Sequence, residues 1–203
     1  MRVVVPFATN EPKTRLAGLL TPDERIEFSR AMLDDVLGAV CEAGVDPEVL
    51  ATAPLDVNVP VTVDERPLSE AVNGALDFDL ETATAIVMAD LPLATPEVLG
   101  TLFETPGDVV LAPGRGGGTN AIISRHPDFR VDYHDGSFLK HRTAAAALGL
   151  VGIVDSHRLA TDIDEPADLV ELLIHGEGAA ADWLFDSGFE LVRKESRLGI
   201  ERN

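Results

Sequence analysis

Lysine is almost missing from this chain. Lys13, Lys140 and Lys194 are its only three, against 35 Asp and Glu residues and a formal net charge of −19 over 203 residues. Repulsion on that scale opposes encounter with DNA, RNA or an anionic lipid surface, so neither a nucleic acid nor a membrane is expected as partner. Two accounts fit the excess: an ordinary acidic surface, or a protein kept soluble in a salt-rich cytoplasm, where dissolved ions screen its self-repulsion. The halophilic account is preferred. Cysteine is scarcer still. A single Cys41 excludes an internal disulfide and, with no histidine beside it, makes no metal site. Its place in an apolar-periodic stretch predicts a small core residue. No apolar run approaches the roughly 20 residues that a bilayer-spanning helix needs. The opening Met1-Arg2-Val3-Val4-Val5-Pro6 is too short for a signal peptide, and a cytoplasmic protein is expected. Linkers, repeats and low-complexity tracts are lacking as well. One domain over 1–203 follows, with 188–203 as a C-terminal strand or loose tail.

What is present is alternation. Val3–Phe7 reads as a strand, and Thr21-Pro22-Asp23-Glu24 then supplies an N-cap, a proline at the first helical position and a capping-box glutamate. The helix so opened carries Ile26, Met32, Leu33, Val36, Leu37 and Val40 at helical spacing. Further strands are expected at 59–63, 84–89, 109–112 and 151–154. Helices are expected near 68–76, 96–103, 139–148, 165–174 and 179–185. Strands alternating with helices in this way give an α/β fold: three layers, with a mainly parallel sheet covered on both faces. Ligands of such sheets bind beyond the carboxyl ends of the strands, so the loops there are where chemistry is sought.

Five such segments carry it. After the first strand, Pro6 leads into Ala8-Thr9-Asn10-Glu11-Pro12-Lys13-Thr14-Arg15-Leu16, where two of the few cations fall together. A backbone leaving a strand there can wrap a nucleotide while Lys13 and Arg15 neutralise its phosphates. With no glycine before the lysine it is no Walker A loop, and a solvated surface pair is the alternative. At 85–93, an apolar run ends in Asp90-Leu91-Pro92. A carboxylate at the end of a buried strand can hold Mg2+ against a triphosphate; the competing role, capping a helix near Thr95, is a long reach. Pro113-Gly114-Arg115-Gly116-Gly117-Gly118-Thr119-Asn120 follows, and glycines in succession let backbone N–H groups approach an anion. Arg115, Gly118, Thr119 and Asn120 would then bind the second substrate, unless the loop is only a flexible turn. Last, Asp162 and Asp164 sit two residues apart, on one side of an extended segment. Asp162 is the expected metal ligand, and Asp164 the expected cap of a helix beginning at Glu165-Pro166. Between these lies Tyr133-His134-Asp135-Gly136-Ser137. Its serine would stand at a helix N-terminus, either as an ordinary cap or as an anion contact. His141 could approach the same pocket, although a place on the helix surface is the commoner arrangement.

The strings Lys13-Thr14-Arg15-Leu16, Met32-Leu33-Asp34-Asp35-Val36, Asp90-Leu91-Pro92-Leu93, Gly116-Gly117-Gly118-Thr119-Asn120-Ala121 and Asp162-Ile163-Asp164-Glu165-Pro166 occur in an order that resembles the 2-phospho-L-lactate guanylyltransferases. These are GT-A-like, Rossmann-related nucleotidyltransferases. The resemblance runs from Val5 to Leu169 and implies transfer of GMP from GTP to 2-phospho-L-lactate, releasing pyrophosphate, in the biosynthesis of coenzyme F-420. It also implies a haloarchaeal source and a homodimer. Pro6, Lys13, Arg15 and Asp90 would then lie against GTP, with Mg2+ on Asp90 and on Asp162 or Asp164. The turn of His134, Gly136 and Ser137 would complete the acceptor site, His134 standing where the family often has glycine. No side chain must contact guanine; Asn73 and the loop backbone are the candidates. Other acceptors remain open, namely phosphoenolpyruvate, 3-phosphoglycerate, a molybdopterin or a sugar phosphate. So does a non-catalytic nucleotide-binding regulator, which would have no need of paired carboxylates.

Overall fold

The computed structural model describes residues 1–77, 83–194 and 197–203. Seven strands form the main sheet: β1 (Arg2–Phe7), β2 (Pro47–Ala51), β3 (Val61–Val63), β4 (Thr84–Val87), β5 (Val109–Pro113), β6 (Thr119–Ser124) and β7 (Val151–Ile153), in the order β3-β2-β1-β4-β6-β5-β7. Pairings within β3-β2-β1-β4 and between β5 and β7 are parallel. β6 runs antiparallel to both its neighbours, so the sheet is mainly parallel, as expected, with one reversed strand. Among the described residues seven helices accompany it: α1 (Pro22–Glu42), α2 (Leu68–Leu76), α3 (Pro96–Glu104), α4 (Ser137–Ala146), α5 (His157–Ala160), α6 (Asp168–His175) and α7 (Ala179–Asp186).

Strand alternation sends neighbouring residues to opposite faces, and the core divides accordingly. Val3 and Val5 of β1 pack with Leu33 and Val36 of α1 and Leu99 and Leu102 of α3. Val4, between them, packs with Val72 of α2, Ile86 of β4 and Ala145 of α4. A third cluster joins Phe28 and Met32 of α1 to Leu172 of α6, Leu184 of α7 and Phe189. Phe189 opens an antiparallel hairpin of β8 (Phe189–Lys194) and β9 (Arg197–Arg202), the form taken by the expected C-terminal strand or tail. α1 starts as its sequence requires. Thr21 accepts from the Glu24 N–H, Glu24 accepts from the Thr21 N–H, and Pro22 stands in the first turn.

Several expectations change. Cys41 is exposed rather than buried. Val36, Leu37 and Val40 hold the inward stripe, and the 100° step from Val40 turns Cys41 to solvent. The expected strand at 59–63 shortens to 61–63, while β2, which opens on Pro47-Glu48, and the four-residue α5 carry too little apolar pattern to be foreseen. The glycine-rich segment is not loop throughout, because Thr119 and Asn120 begin β6. Among the described residues no helix is long and apolar enough to cross a membrane.

Candidate active site

The strand order reverses direction at β1. Later strands run outward to β2 and β3 on one side, and β4 lies on the other. Such a switch point opens a crevice at the strands' carboxyl ends, and the segments leaving β1 and β4 meet in it. A cavity of about 410 Å3 lies there, lined among others by Pro6, Lys13, Leu50, Met88, Asp90 and Asp164.

Lys13 is aimed by strained backbone. Glu11 and Lys13 both adopt positive φ, at 43° and 53°, a region that non-glycine residues seldom enter, and a single turn of 3-10 helix follows at Thr14–Leu16. Buried Arg25 of α1 clamps this loop, donating from Nε to the Pro12 carbonyl at 3.0 Å and from Nη1 to that of Leu20 at 3.3 Å. Lys13 Nζ donates to Asp90 Oδ2 at 2.7 Å and stands 3.6 Å from Asp164 Oδ1. Burial alone would lower the pKa of this ammonium. Attraction to Asp90, with Asp164 and Asp162 behind it, overcomes that and raises it, so Lys13 stays charged.

Asp162 is held differently. Asn120 Nδ2 donates to its Oδ1 at 3.1 Å and also to the Leu159 carbonyl at 2.9 Å. Burial pushes the Asp162 carboxyl above the usual range; the Asn120 hydrogen bond opposes this, and the charge of Asp90 adds to it. Asn120 is therefore a buried support for an acidic group rather than an open donor to an acceptor. Gly114 makes room for it, since a Cβ there would come 2.6 Å from Asn120 Oδ1.

Asp164 does not cap the next helix. That helix begins at Asp168, whose carboxylate accepts from the backbone N–H groups of Asp164 and Glu165 at 3.1 and 2.8 Å. Asp164 is thereby free to face Lys13 and pair with Arg15. Asp168 in turn accepts from Arg115 Nη2 at 3.0 Å, so the arginine expected to grip the acceptor instead ties the glycine loop to the acidic segment. Three hard carboxylate oxygen donors around a lysine ammonium suit a hard divalent cation. Among the described residues, however, no three acidic or imidazole groups are grouped closely enough to chelate one alone. One or two carboxylates completed by substrate phosphates is the arrangement magnesium ordinarily takes.

On the far side of β6, Thr119 meets α4. Gly136 takes the N-cap position at φ 69°, Ser137 is the first helical residue, and the Ser137 hydroxyl lies 3.3 Å from Thr119 Oγ1. Ser137 is thus buried and caps nothing. His141, expected on the helix surface, is buried with its Nδ1 2.9 Å from Thr119 Oγ1, and its Nε2 accepts from the Asp132 N–H at 2.9 Å. A backbone N–H can only donate, so Nε2 carries the lone pair and Nδ1–H donates to Thr119. Burial pushes the imidazole down to about 4. His134 is exposed and paired with Asp132 at 2.9 Å. Gly118 keeps its place in the turn, its carbonyl accepting from the Gly114 N–H at 2.9 Å. Asn73 is not on the cavity. Both ends of its amide engage the Val131 backbone, at 3.1 and 2.8 Å, and pin the 131 segment to α2.

Most of the expected site residues therefore converge around β6 and the β1–β4 crevice. His141 was named as able to approach this pocket and does reach Thr119, but from a buried position, whereas nothing in the spacing pointed to the clamp made by Arg25 or to the tie between Asp168 and Arg115. Asp64 and Arg66, on the wall of the cavity, also carried no motif.

Residues 1–201 match the family described as Guanylyl transferase CofC like. A relative from Halomicrobium mukohataei, named 2-phospho-L-lactate guanylyltransferase, is 60% identical over 203 residues, covering the whole of both chains. Another of that name, from Haloarcula marismortui, is 57% identical over 206 residues, covering all of this chain and 99% of its own. Among solved structures, a candidate nucleotide-diphospho-sugar transferase from Desulfovibrio desulfuricans G20 aligns with a TM-score of 0.69 at 17% identity, over 92% of this chain and 96% of that one. A nucleotidyl transferase from Methanothermobacter aligns at 0.58 and 15% identity, over 86% and 97%. At such identities the likeness to these structures is one of fold. A family match over nearly the full length, joined to relatives that align end to end, makes this chain a member of the CofC-like guanylyl transferase family.

Proposed function

We propose that the protein transfers GMP from GTP to 2-phospho-L-lactate, forming lactyl-2-diphospho-5′-guanosine and releasing pyrophosphate, a step in making coenzyme F-420. The observation that carries this reading is Lys13 seated among Asp90, Asp162 and Asp164 at the mouth of the cavity. The names of the close relatives supply the substrates. The same acidic set argues against a non-catalytic regulator, which gains nothing from half-buried carboxylates beside one another.

The acceptor phosphate oxygen attacks the α-phosphorus of GTP in line, the bond to the bridging oxygen of the β-phosphate breaks, and pyrophosphate leaves with that electron pair. The acceptor is already anionic, so no general base is needed. The protein must hold two mutually repelling anions together and neutralise the charge that builds on the leaving group. Asp90 and Asp162, with Asp164 beside them, would hold Mg2+, whose charge draws the phosphates together when it is bound. Lys13 turns from Asp90 to the phosphates as they arrive, and Arg15 joins it. Thr119, with its hydroxyl oriented by His141, and the N-terminus of α4 at Ser137 receive the acceptor's phosphate or carboxylate. A homodimer and a cytoplasmic location belong to the same reading.

The direct test is pyrophosphate release in high KCl with magnesium, GTP and 2-phospho-L-lactate. Other NTPs and acceptors, phosphoenolpyruvate and 3-phosphoglycerate first, are then substituted one at a time. Release that needs GTP, phospholactate and magnesium together is expected. GTP binding that is indifferent to magnesium, with no turnover on any acceptor, would return the protein to the regulator class.

A further inference from the structure

The charged groups lining the cavity fall into two sets. Lys13, Asp90 and Asp164 stand where β1 and β4 end, and Asp64 and Arg66 stand beyond the end of β3. Between them the wall is largely apolar, with Pro6, Leu50, Ala71 and Met88 among its residues. β3 lies two strands from β1 and three from β4, about 10 and 14 Å at the usual spacing. A polar end for phosphates, an apolar middle and a second polar end at that remove match the length and character of a nucleotide. The second end is where its base would lie.

What stands there is built. The Asp64 N–H donates to the Ala51 carbonyl at 2.9 Å, fixing the residue to β2. Its carboxylate accepts from the Arg66 N–H at 3.0 Å, from Arg66 Nε at 3.0 and 3.1 Å, and from Arg66 Nη2 at 2.6 Å. Only 16% of the Asp64 side chain is exposed, against 54% of Arg66, so the acid holds the guanidinium while the guanidinium faces outward. Among the described residues Nη1 makes no hydrogen bond. Gly74, inside α2, completes the seat. A Cβ there would come 2.5 Å from Arg66 Nη2, so the helix carries glycine, a poor helix former, where the fork lies against it.

We infer that Arg66, held flat by Asp64, reads the guanine base of the nucleotide by donating to its O6 and N7. Guanine offers two acceptors side by side on that edge and a planar guanidinium matches both, whereas adenine puts an amino donor in place of O6. Pyrimidines lack N7 altogether. The assignment rests on GTP being the substrate, as proposed above, and adds the side chains that make it GTP.

Analogues separate this from neighbouring explanations. kcat/KM is measured for GTP, ITP, 7-deaza-GTP and ATP in the wild type, Arg66→Ala, Arg66→Lys and Asp64→Asn, with melting temperature as the folding control. ITP keeps O6 and N7 and stays close to GTP in the wild type, while 7-deaza-GTP, lacking N7, falls behind. Arg66→Ala lowers kcat/KM for GTP by about 10- to 100-fold, chiefly through KM, and by much less for ATP, and the penalty for 7-deaza-GTP disappears. Arg66→Lys recovers little of the loss, because a point charge does not reproduce the fork. Equal losses on GTP and ATP, or a 7-deaza penalty that persists in Arg66→Ala, would overturn the assignment. Should the wild type turn over no acceptor, displacement of a ribose-labelled fluorescent GTP by the same four nucleotides tests base reading without catalysis. A preference for GTP over ATP that Arg66→Ala abolishes then upholds it, although the acceptor reading has failed. Equal displacement by GTP and ATP overturns it.

Discussion

Lys13 Nζ and Asp90 Oδ2 lie 2.7 Å apart across 77 residues of sequence, each delivered by a different strand of the central sheet. The contact joins the group proposed to neutralise phosphate to the group proposed to hold metal. Asp90→Ala should lower kcat by at least about 100- to 1,000-fold, the scale seen when one preorganised charge-stabilising group is removed. The variant should still melt close to the wild type, because Lys13 retains Asp164 at 3.6 Å. Near-normal turnover by Asp90→Ala in a pyrophosphate-release assay would remove Asp90 from the mechanism.

Gly114 offers a subtler lesion. A methyl group there meets Asn120 Oδ1 at 2.6 Å and must displace the side chain that donates to Asp162. Outer partners of metal-holding groups are commonly worth 10- to 100-fold in affinity or activity. Gly114→Ala should therefore raise the magnesium concentration needed for half-maximal rate by about that factor, with little change in melting temperature. An unchanged magnesium titration would show that Asn120 does not tune Asp162.

His141 gives a dependence on pH. It is neutral in the fold, with its pKa pushed by burial to about 4 from an ordinary 6.5. Between those values the unfolded chain binds a proton that the folded chain refuses, so this residue's contribution to stability declines as pH falls from about 6.5 towards about 4. His141→Gln should flatten that part of the profile in chemical denaturation at high KCl, while lowering stability at pH 7, where its hydrogen bonds are lost. Thr119→Val, which removes only the hydroxyl His141 orients, should raise KM for the acceptor several-fold and leave KM for GTP in place. Steady-state kinetics with each substrate varied in turn decides this.

Away from the site, Asp35 of α1 accepts from the N–H groups of Ala179 and Ala180 at 2.6 and 2.9 Å and so caps α7 from a distant helix. Asp35→Ala should cost about 1–2 kcal/mol, a drop of roughly 2–8 °C in melting temperature for a domain of this size. Activity per folded molecule should not change. Calorimetry beside an activity titration separates the two.

How much of this was legible beforehand depended on how local each cause is. The capping box of Thr21 and Glu24, the apolar stripe of α1 and the carboxylate ending the β4 segment are written in neighbouring residues, and the structure places each as read. The reversed strand β6 was not legible, because glycines in front of Thr119 look like loop until a partner strand on each side fixes the backbone. Asp162 and Asp164 were found as a pair, but Asp164 does not cap the helix that follows, as was expected of it. Asp168, four residues further on, accepts from the Asp164 N–H, and α6 begins without a side-chain cap while Asp164 faces Lys13. Arg115 was expected to grip the acceptor and Asn73 to contact guanine; the groups they meet, Asp168 and the Val131 carbonyl, lie 53 and 58 residues away, where no local pattern reaches.

Thr119 and Asn120 are consecutive on β6, and the pleat sends one toward Ser137 and His141 and the other toward Asp162. The pairing of β6 with β5 shifts register at this point, between Ala112 and Pro113, and on the proposed reading the acceptor site and the metal site would stand one residue apart on the strand. If that reading holds, changes of acceptor would fall to the exposed turn at His134 rather than to the strand that carries Thr119 and Asn120.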